Sequence, residues 1–222
     1  MAEIRITDLA FSYPGGQSFA MTIPGLHIES GLCTAIVGPS GSGKTTLLNL
    51  VAGTLLPDTG DIHVGETCIN RLGEVSRRGF RSRTIGQVFQ AFELLGYLNV
   101  MENTLLGSII NSTVDTRIRQ RALTLLDSVG LADKALVKPA RLSHGDRQRV
   151  AVCRAMLNHP GVLLADEPTG NLDQLNKQNV VDLLIEQARG QASTLLMVTH
   201  DRSLLAAFDR VIDFEELTGM SS

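Results

Sequence analysis

The chain has 222 residues, of which 43% are hydrophobic and 19% are charged, and this is the composition of one folded domain with room for an inserted subdomain, not of a disordered segment. Its formal net charge of −3 lacks the basic surplus that draws proteins to nucleic acid, so we expect no nucleic-acid partner. Three cysteines without regular spacing argue against a disulfide framework or a structural zinc site.

The first thirty residues predict short strands separated by turns. Apolar and polar residues alternate at a period of two from Ile4 to Tyr13 and again around Met21 and Ile23, with an interruption at Pro14. The charges in this segment exclude a secretory signal or a membrane anchor. Apolar runs farther along the chain are much shorter than the roughly 20 residues that cross a bilayer, so we expect no membrane span.

A buried strand, a glycine-rich loop and a helix follow in that order. Residues 33–37 predict the strand, and residues 46–52 have the length and the leucine spacing of a helix that ends at Gly53. The loop between them, GPSGSGKT, matches the pattern G-x-x-x-x-G-K-[ST] in the strand-to-helix context that this pattern requires.

This loop predicts a site for nucleotide phosphates. Its backbone amides and the helix N-terminus can point at the phosphates, Lys44 supplies a positive charge, and Thr45 offers a hydroxyl to Mg²⁺. A glycine- and serine-rich loop that binds nothing is the alternative. The predicted phosphate-binding residues are Gly38, Ser40, Gly41, Ser42, Gly43, Lys44, Thr45 and Thr46.

Residues 91–149 predict an inserted helical subdomain. Their clearest helix covers residues 117–129 and ends at Gly130, with apolar residues spaced by about 3.6 positions. These apolar residues are Ile118, Leu123, Leu125, Leu126 and Val129.

Two short apolar runs follow the helical segment, at residues 162–165 and 194–199, and a helical stretch at residues 174–188 separates them. This alternation is typical of a parallel α/β unit. We therefore expect a single domain over residues 1–222, with its core at residues 1–90 and 150–222 and its helical subdomain at residues 91–149.

An acidic pair, Asp166 and Glu167, follows the first of these runs and precedes Pro168. Ligands of open α/β sheets bind at the carboxyl ends of the strands. Asp166 can hold Mg²⁺ there, and Glu167 can orient and deprotonate a water aimed at a γ-phosphate. A solvated strand end with a turn at Pro168 is the alternative for the pair taken alone.

Residues 142–149 read LSHGDRQR, which resembles the LSGGQ signature of the nucleotide-binding subunits of ABC transporters. The resemblance extends over nearly the whole chain. It implies an α/β fold with a P-loop NTPase core, in which a mostly parallel sheet has flanking helices, an N-terminal antiparallel β subdomain and an inserted helical subdomain. Further matches, in the order of the family, are Tyr13, Gln90 in a VFQ segment, Asp166 and Glu167, residues 171–173, and His200 in VTHD.

The resemblance implies ATP hydrolysis with ATP and Mg²⁺ as cofactors. Tyr13 then stacks on the adenine, and the catalytic residues are Glu167, His200 and Gln90, of which the last two sense the γ-phosphate. The implied metal ligands are Thr45, Gln90 and Asp166. From the residues alone, plain packing of Tyr13 and a core position for His200 stay open.

The signature implies a second subunit. Ser143 with Asp146 three residues later has the form of a capping box, which leaves amides, a hydroxyl and a positive dipole end at a helix N-terminus. In the family, Ser143 and Gly145 would act on ATP held by another subunit, and we expect a homodimer. Asp173, in the D-loop at residues 171–173, is a further expected nucleotide-binding residue. His144 stands where the family usually has glycine, and Asp146 where it usually has glutamine or glutamate. These two departures leave the hydrolysis rate open.

Residues 165–173, ADEPTGNLD, resemble the branch with lipoprotein-release, macrolide-export and cell-division ATPases. This implies a separately encoded membrane permease and a place on the cytoplasmic face of the inner (plasma) membrane. We expect the permease in the cleft near residues 92–100, although packing inside the subdomain would also explain the apolar residues there. Five arginines within residues 71–83 form either a solvated loop or a surface for anionic lipid or an acidic permease loop.

A nucleotide-gated binding module with little hydrolysis is the alternative function, and only His144 favours it. A DNA-repair or chromosome-organising ATPase would need a long coiled coil between the phosphate loop and the signature. The segment between them shows no sustained heptads. The protein-synthesis branch of the family carries two such domains per chain, which this length does not accommodate.

Overall fold

The computed structural model describes residues 1–15, 19–111, 114–170, 172 and 174–219. Strands of these residues form two sheets. The strands are β1 (Ile4–Ser12), β2 (Ala20–Ile28), β3 (Cys33–Val37), β4 (Thr59–Val64), β5 (Thr67–Cys68), β6 (Ile85–Val88), β7 (Val162–Asp166), β8 (Thr194–Thr199) and β9 (Arg210–Asp213). The α-helices are α1 (Lys44–Val51), α2 (Glu74–Thr84), α3 (Val100–Ile110), α4 (Thr116–Ser128), α5 (His144–Met156), α6 (Gln174–Gly190) and α7 (Phe214–Thr218).

The first sheet is antiparallel, with the strand order β2-β1-β4-β5. Its register pairs Phe11 with Met21, and both side chains are buried, as the alternation in the sequence predicts. Where β4 begins, Gly60 adopts a φ of +87°, and a Cβ there would lie 2.5 Å from the carbonyl oxygen of Asp8. Only glycine fits where the two strands pass this closely. The antiparallel sheet as a whole confirms the predicted N-terminal β subdomain.

The second sheet is parallel, with the order β6-β7-β8-β3-β9. Strands β3 and β8 have the bounds that the sequence predicts, and β7 extends to Asp166. The register pairs Val37 with Thr199 and Asp166 with Val198, so the carboxyl ends of β3, β7 and β8 lie side by side. This edge therefore brings together the loop after β3, the acidic pair at the end of β7 and His200 after β8.

Helices α3, α4 and α5 form a helical part that packs on the parallel sheet. Leu125 and Leu126 of α4 lie in one core with residues of the sheet, but Leu123 is 40% exposed. Its assignment to the apolar face was therefore wrong, because the buried stripe of α4 is narrower than the apolar pattern. Helix α5 runs through residues 149 and 150, and the division between core and subdomain at that point stays a prediction.

The arginine-rich segment is largely helix α2, so its interpretation as a solvated loop is wrong. Arg77 Nε and Arg81 Nη1 donate to the carbonyl oxygen of Gly53, at 3.0 and 3.2 Å, just beyond the end of α1. These bonds hold α2 against the core. Among the residues that the structure describes, every helix is too short or too polar to reach across a lipid bilayer.

Candidate functional site

The glycine-rich loop joins β3 to α1 at the carboxyl edge of the parallel sheet. Gly43 is the N-cap of α1, with φ 110°, and no side chain caps the helix there. A Cβ on Gly43 would lie 2.5 Å from the ring of Phe19, so glycine is required both for the backbone angle and for the packing. The first amides of α1 thus face the loop without a side-chain acceptor, which is the arrangement that favours an anion.

Lys44 folds back over this loop. Its side chain is only 4% exposed, and Nζ donates to the carbonyl oxygens of Gly38 at 2.9 Å and Pro39 at 2.6 Å. The same Nζ lies 3.8 Å from Glu167 Oε1. Burial lowers the pKa of Lys44, and Glu167 and Asp166 oppose that change. A positive charge is therefore fixed between the loop and the acidic pair.

The residues predicted to hold nucleotide and Mg²⁺ fit those groups. Thr45 Oγ1 donates to Asp166 Oδ1 at 3.0 Å, which places a hydroxyl and a carboxylate oxygen together. Oxygen atoms of this kind are what Mg²⁺ prefers, usually with phosphates and water completing the shell. Ser42 Oγ is buried and has no hydrogen-bond partner among the described residues. A buried hydroxyl of this kind requires a polar partner, and a phosphate oxygen would supply one.

Asp166 and Glu167 differ in environment although they are adjacent. Burial raises the pKa of Asp166, the hydrogen bond from Thr45 lowers it, and the charge of Glu167 raises it again. Glu167 has a φ of +41°, and its amide donates to the carbonyl oxygen of Val198 at 3.0 Å. Such a backbone costs about 1–3 kcal/mol in a residue other than glycine, so the surrounding structure must hold it.

His200 lies beside Glu167, with 2.7 Å between His200 Nδ1 and Glu167 Oε2. The His200 side chain is half exposed, so the packed core position considered for it is wrong. Lys44, Glu167 and His200 therefore form one continuous set of contacts. This set connects the phosphate loop to the end of β8.

Gln90 follows β6, the strand next to β7. Its amide nitrogen would lie 2.8 Å from a Cβ on Gly170, three residues after Glu167. The structure thus places Gln90 beside Gly170 in the turn that follows the acidic pair, while its contact with a metal or a water stays a prediction. Asn171 and Asp173, the other predicted residues of this segment, lie outside the described residues.

Tyr13 lies beside the phosphate-loop helix. Its hydroxyl is 3.0 Å from Thr46 Oγ1, and its ring packs edge-on against Phe11 with 4.9 Å between centroids. Phe19 adds a second ring 5.8 Å away and also covers Gly43. The sequence pattern did not single out Phe19, although the low aromatic content of the chain was a signal that could have drawn attention to it.

The signature forms the first turn of α5, away from the phosphate loop in sequence. Ser143 Oγ accepts from the amide of Asp146 at 3.1 Å, and Asp146 Oδ2 accepts from the amide of Ser143 at 3.2 Å. The predicted capping box is therefore confirmed. Ser143 is exposed and Gly145 is partly exposed, so both can reach a ligand from outside the chain.

Asp146, a departure from the family pattern, is more than a helix cap. Its carboxylate accepts from Lys134 Nζ at 3.0 Å and from Arg149 Nη2 at 2.6 Å. Burial raises its pKa, but the hydrogen bonds from Lys134 and Ser143 outweigh burial and lower it to about 2. The shorter side chain is therefore accommodated by an ion-pair network that fixes the signature turn.

Replacing Asp146 with asparagine is expected to destabilise the fold by about 1–3 kcal/mol at pH 7, because the amide keeps the cap but loses two ion pairs. Since the folded pKa lies below its ordinary value of 3.8, the carboxylate's contribution is complete above about pH 4 and is lost as pH falls toward 2. Urea unfolding at several pH values should show the difference shrink as pH falls. Asp127→Asn, at an exposed position of α4, is the control, and a constant difference would contradict the assignment.

A groove of about 870 Å³ separates α2 from α3. Its lining includes two apolar side chains, Val75 and Ile110, which are 75% and 73% exposed. Its charged residues are Arg78, Arg81, Arg83, Arg154 and Glu93. The groove borders the segment at residues 92–100, where the sequence predicts a docking cleft, but Leu94 packs into the core instead.

Comparison with known proteins agrees with this geometry. A family model described as "ABC transporter" matches residues 23–170. A lipoprotein-releasing system ATP-binding protein LolD from Pseudomonas fluorescens is 42% identical over 97% of this chain and 96% of its own, and a second from Pseudomonas syringae pv. tomato is 40% identical over 96% and 95%.

Solved structures give the same result. A dimeric bacterial ABC transporter cassette superposes with a TM-score of 0.82 at 32% identity, covering 95% of this chain and 93% of its own. A dimeric cassette in a post-hydrolysis state bound to ADP and Pi superposes with a TM-score of 0.81 at 31% identity, with the same coverage. Both therefore share the fold over nearly the whole chain.

Proposed function

The chain belongs to the ABC transporter family as an ATP-binding and ATP-hydrolysing subunit, and from that premise we propose that it energises a membrane complex that releases lipoproteins. The single observation that supports the chemistry best is the set of contacts from Lys44 through Glu167 to His200 at the carboxyl edge of the sheet. The substrate assignment is supported by the two Pseudomonas relatives, which are named for lipoprotein release and align over nearly their whole length.

We propose that the residues at this edge divide the work of hydrolysis. Lys44 and the loop amides bind the phosphates, and Glu167 accepts a proton from the attacking water. His200, 2.7 Å from the carboxylate, orients Glu167 and contacts the γ-phosphate. Mg²⁺, held by Thr45 and Asp166 with Gln90 nearby, would neutralise charge on the phosphates when bound.

We also propose an ATP-dependent homodimer in which Ser143 and Gly145 act on the partner subunit's nucleotide. The exposed first turn of α5 supports this, because its amides and the Ser143 hydroxyl form an anion-binding end on a helix other than the one that follows the phosphate loop. The dimeric state of the related cassettes supports it further. A related cassette is known in a post-hydrolysis state bound to ADP and Pi, which favours a hydrolysing subunit over the alternative of a module with little hydrolysis.

The groove between α2 and α3 supports a particular kind of membrane partner. Four arginines against one glutamate line it, together with exposed apolar side chains. An amphipathic segment with carboxylates on its polar side complements both features. We propose that such a cytoplasmic segment of a separately encoded permease binds here, which would place this chain on the cytoplasmic face of the membrane.

Purification of the tagged chain in detergent with ATP tests this proposal, because the membrane subunits should be recovered with it and should stimulate its ATPase. Arg78→Glu is expected to reduce their recovery at least severalfold, since it reverses an exposed charge of the groove. Its basal ATPase should not change. Arg119→Glu, on the exposed side of α4, is the matched control, and equal recovery with both variants would contradict the assigned groove.

A further inference from the structure

A turn at Phe92 and Glu93 lies between Gln90, the groove and helix α5. Both residues adopt left-handed backbone angles, with φ of 61° and 49°, and neither is a residue type that favours them. The turn begins two positions after Gln90, which lies beside Gly170, and Glu93 lines the groove. A conformation of this kind persists only where neighbouring groups hold it.

Arg154 of helix α5 is the group that holds this turn. Its guanidinium donates to the carbonyl oxygen of Phe92 at 2.8 Å and to that of Glu93 at 2.5 Å. The rigid fork of arginine suits two adjacent acceptors, which lysine could not bind with the same geometry. The turn is thereby attached to the helix that begins with the signature.

The ring of Phe92 is also in contact with the start of α5. It lies edge-on to the ring of His144, with 5.6 Å between the ring centres and 74° between the planes. This is one of the two arrangements that aromatic rings prefer. His144 stands between Ser143 and Gly145, where glycine is usual in the family, so this contact is specific to a chain with a ring at that position.

We propose that His144 is a positioning residue: its contact with Phe92 acts together with the Asp146 network to fix the turn that Ser143 and Gly145 present to the partner subunit's ATP. The inference rests on the proposed dimer. A ring at position 144 then replaces the freedom of a glycine by a fixed orientation. The fixed turn needs no rearrangement when the second subunit arrives, so less ATP is required for dimerisation.

The test measures the ATP concentration that gives half-maximal dimerisation, by light scattering, in a Glu167→Gln background. Phe92→Leu and His144→Ala are each expected to raise this concentration about two- to tenfold, which is the range for one aromatic pair. The double variant should show no larger effect than either single variant, because both remove the same contact. His144→Phe keeps a ring and should behave as the parent does.

Tyr97→Leu is the matched control, since Tyr97 is an exposed aromatic residue of the same segment. Binding of ATP to the dilute monomer should be equal in all variants, which a general loss of structure would not allow. Independent, multiplying effects of Phe92→Leu and His144→Ala, or no effect of either, would overturn the inference. If the Glu167→Gln protein without further substitutions stayed monomeric at saturating ATP, the proposed dimer itself would be overturned. This outcome is distinguishable because it does not depend on the Phe92 or His144 variants.

Discussion

The Glu167→Gln variant is expected to lose ATP turnover by a factor of about 10² to 10⁴ while it still binds ATP, because an amide cannot accept the proton of the attacking water. The side chain keeps its length, so the contact with His200 at 2.7 Å can persist. Lys44 keeps its bonds to the loop carbonyls. Measured separately, phosphate release should therefore be lost while nucleotide binding is retained.

This variant should also accumulate as a dimer. The substitution removes a negative charge from a position 3.8 Å from Lys44 Nζ, which reduces repulsion of the γ-phosphate and favours the ATP-bound form. Glu186→Gln makes the same change at an exposed position of α6 and should leave hydrolysis unaltered. If Glu167→Gln hydrolysed ATP at the parent rate, the water-activating role would belong to another residue.

The parts of the fold that the sequence predicts are those fixed by local chemistry. Strands β3 and β8 are buried on both faces and are therefore continuous apolar runs with clear ends. The capping box at Ser143 was equally predictable, because its two partners lie three residues apart. The phosphate loop belongs to this class as well, since glycines and one lysine at fixed spacing determine its shape.

The parts that the sequence did not predict depend on contacts between distant segments. Phe19, which precedes β2, meets Gly43 only in the folded chain, and no spacing rule connects them. Helix α2 has no fully buried residue. Its sequence therefore shows no apolar stripe among the arginines, and the segment was predicted as a loop. The sequence showed Asp146 only as a departure from the family pattern. Its ion pairs with Lys134 and Arg149 become visible only in the fold.

Replacing Lys44 with methionine is expected to weaken ATP binding by about 10²-fold or more, since charge-assisted hydrogen bonds contribute about 1.5–3 kcal/mol each. The loss also exposes the phosphates to Asp166 and Glu167, whose charges Lys44 offsets. Equilibrium titration with a fluorescent ATP analogue measures the change directly. Hydrolysis at moderate ATP concentrations should fall with it.

The stability of the Lys44→Met variant distinguishes lost binding from lost structure. Methionine fills a similar volume without the desolvation cost of the buried ammonium, but it leaves the carbonyl oxygens of Gly38 and Pro39 without their donor. Thermal stability without ATP should therefore be equal to that of the parent or modestly lower. Added ATP should then raise the melting temperature of the parent but not of the variant. Lys138→Met removes the same charge from an exposed position and should respond to ATP as the parent does. An ATP-dependent rise in the Lys44→Met variant equal to that of the parent would show that the folded-back ammonium does not bind the phosphates.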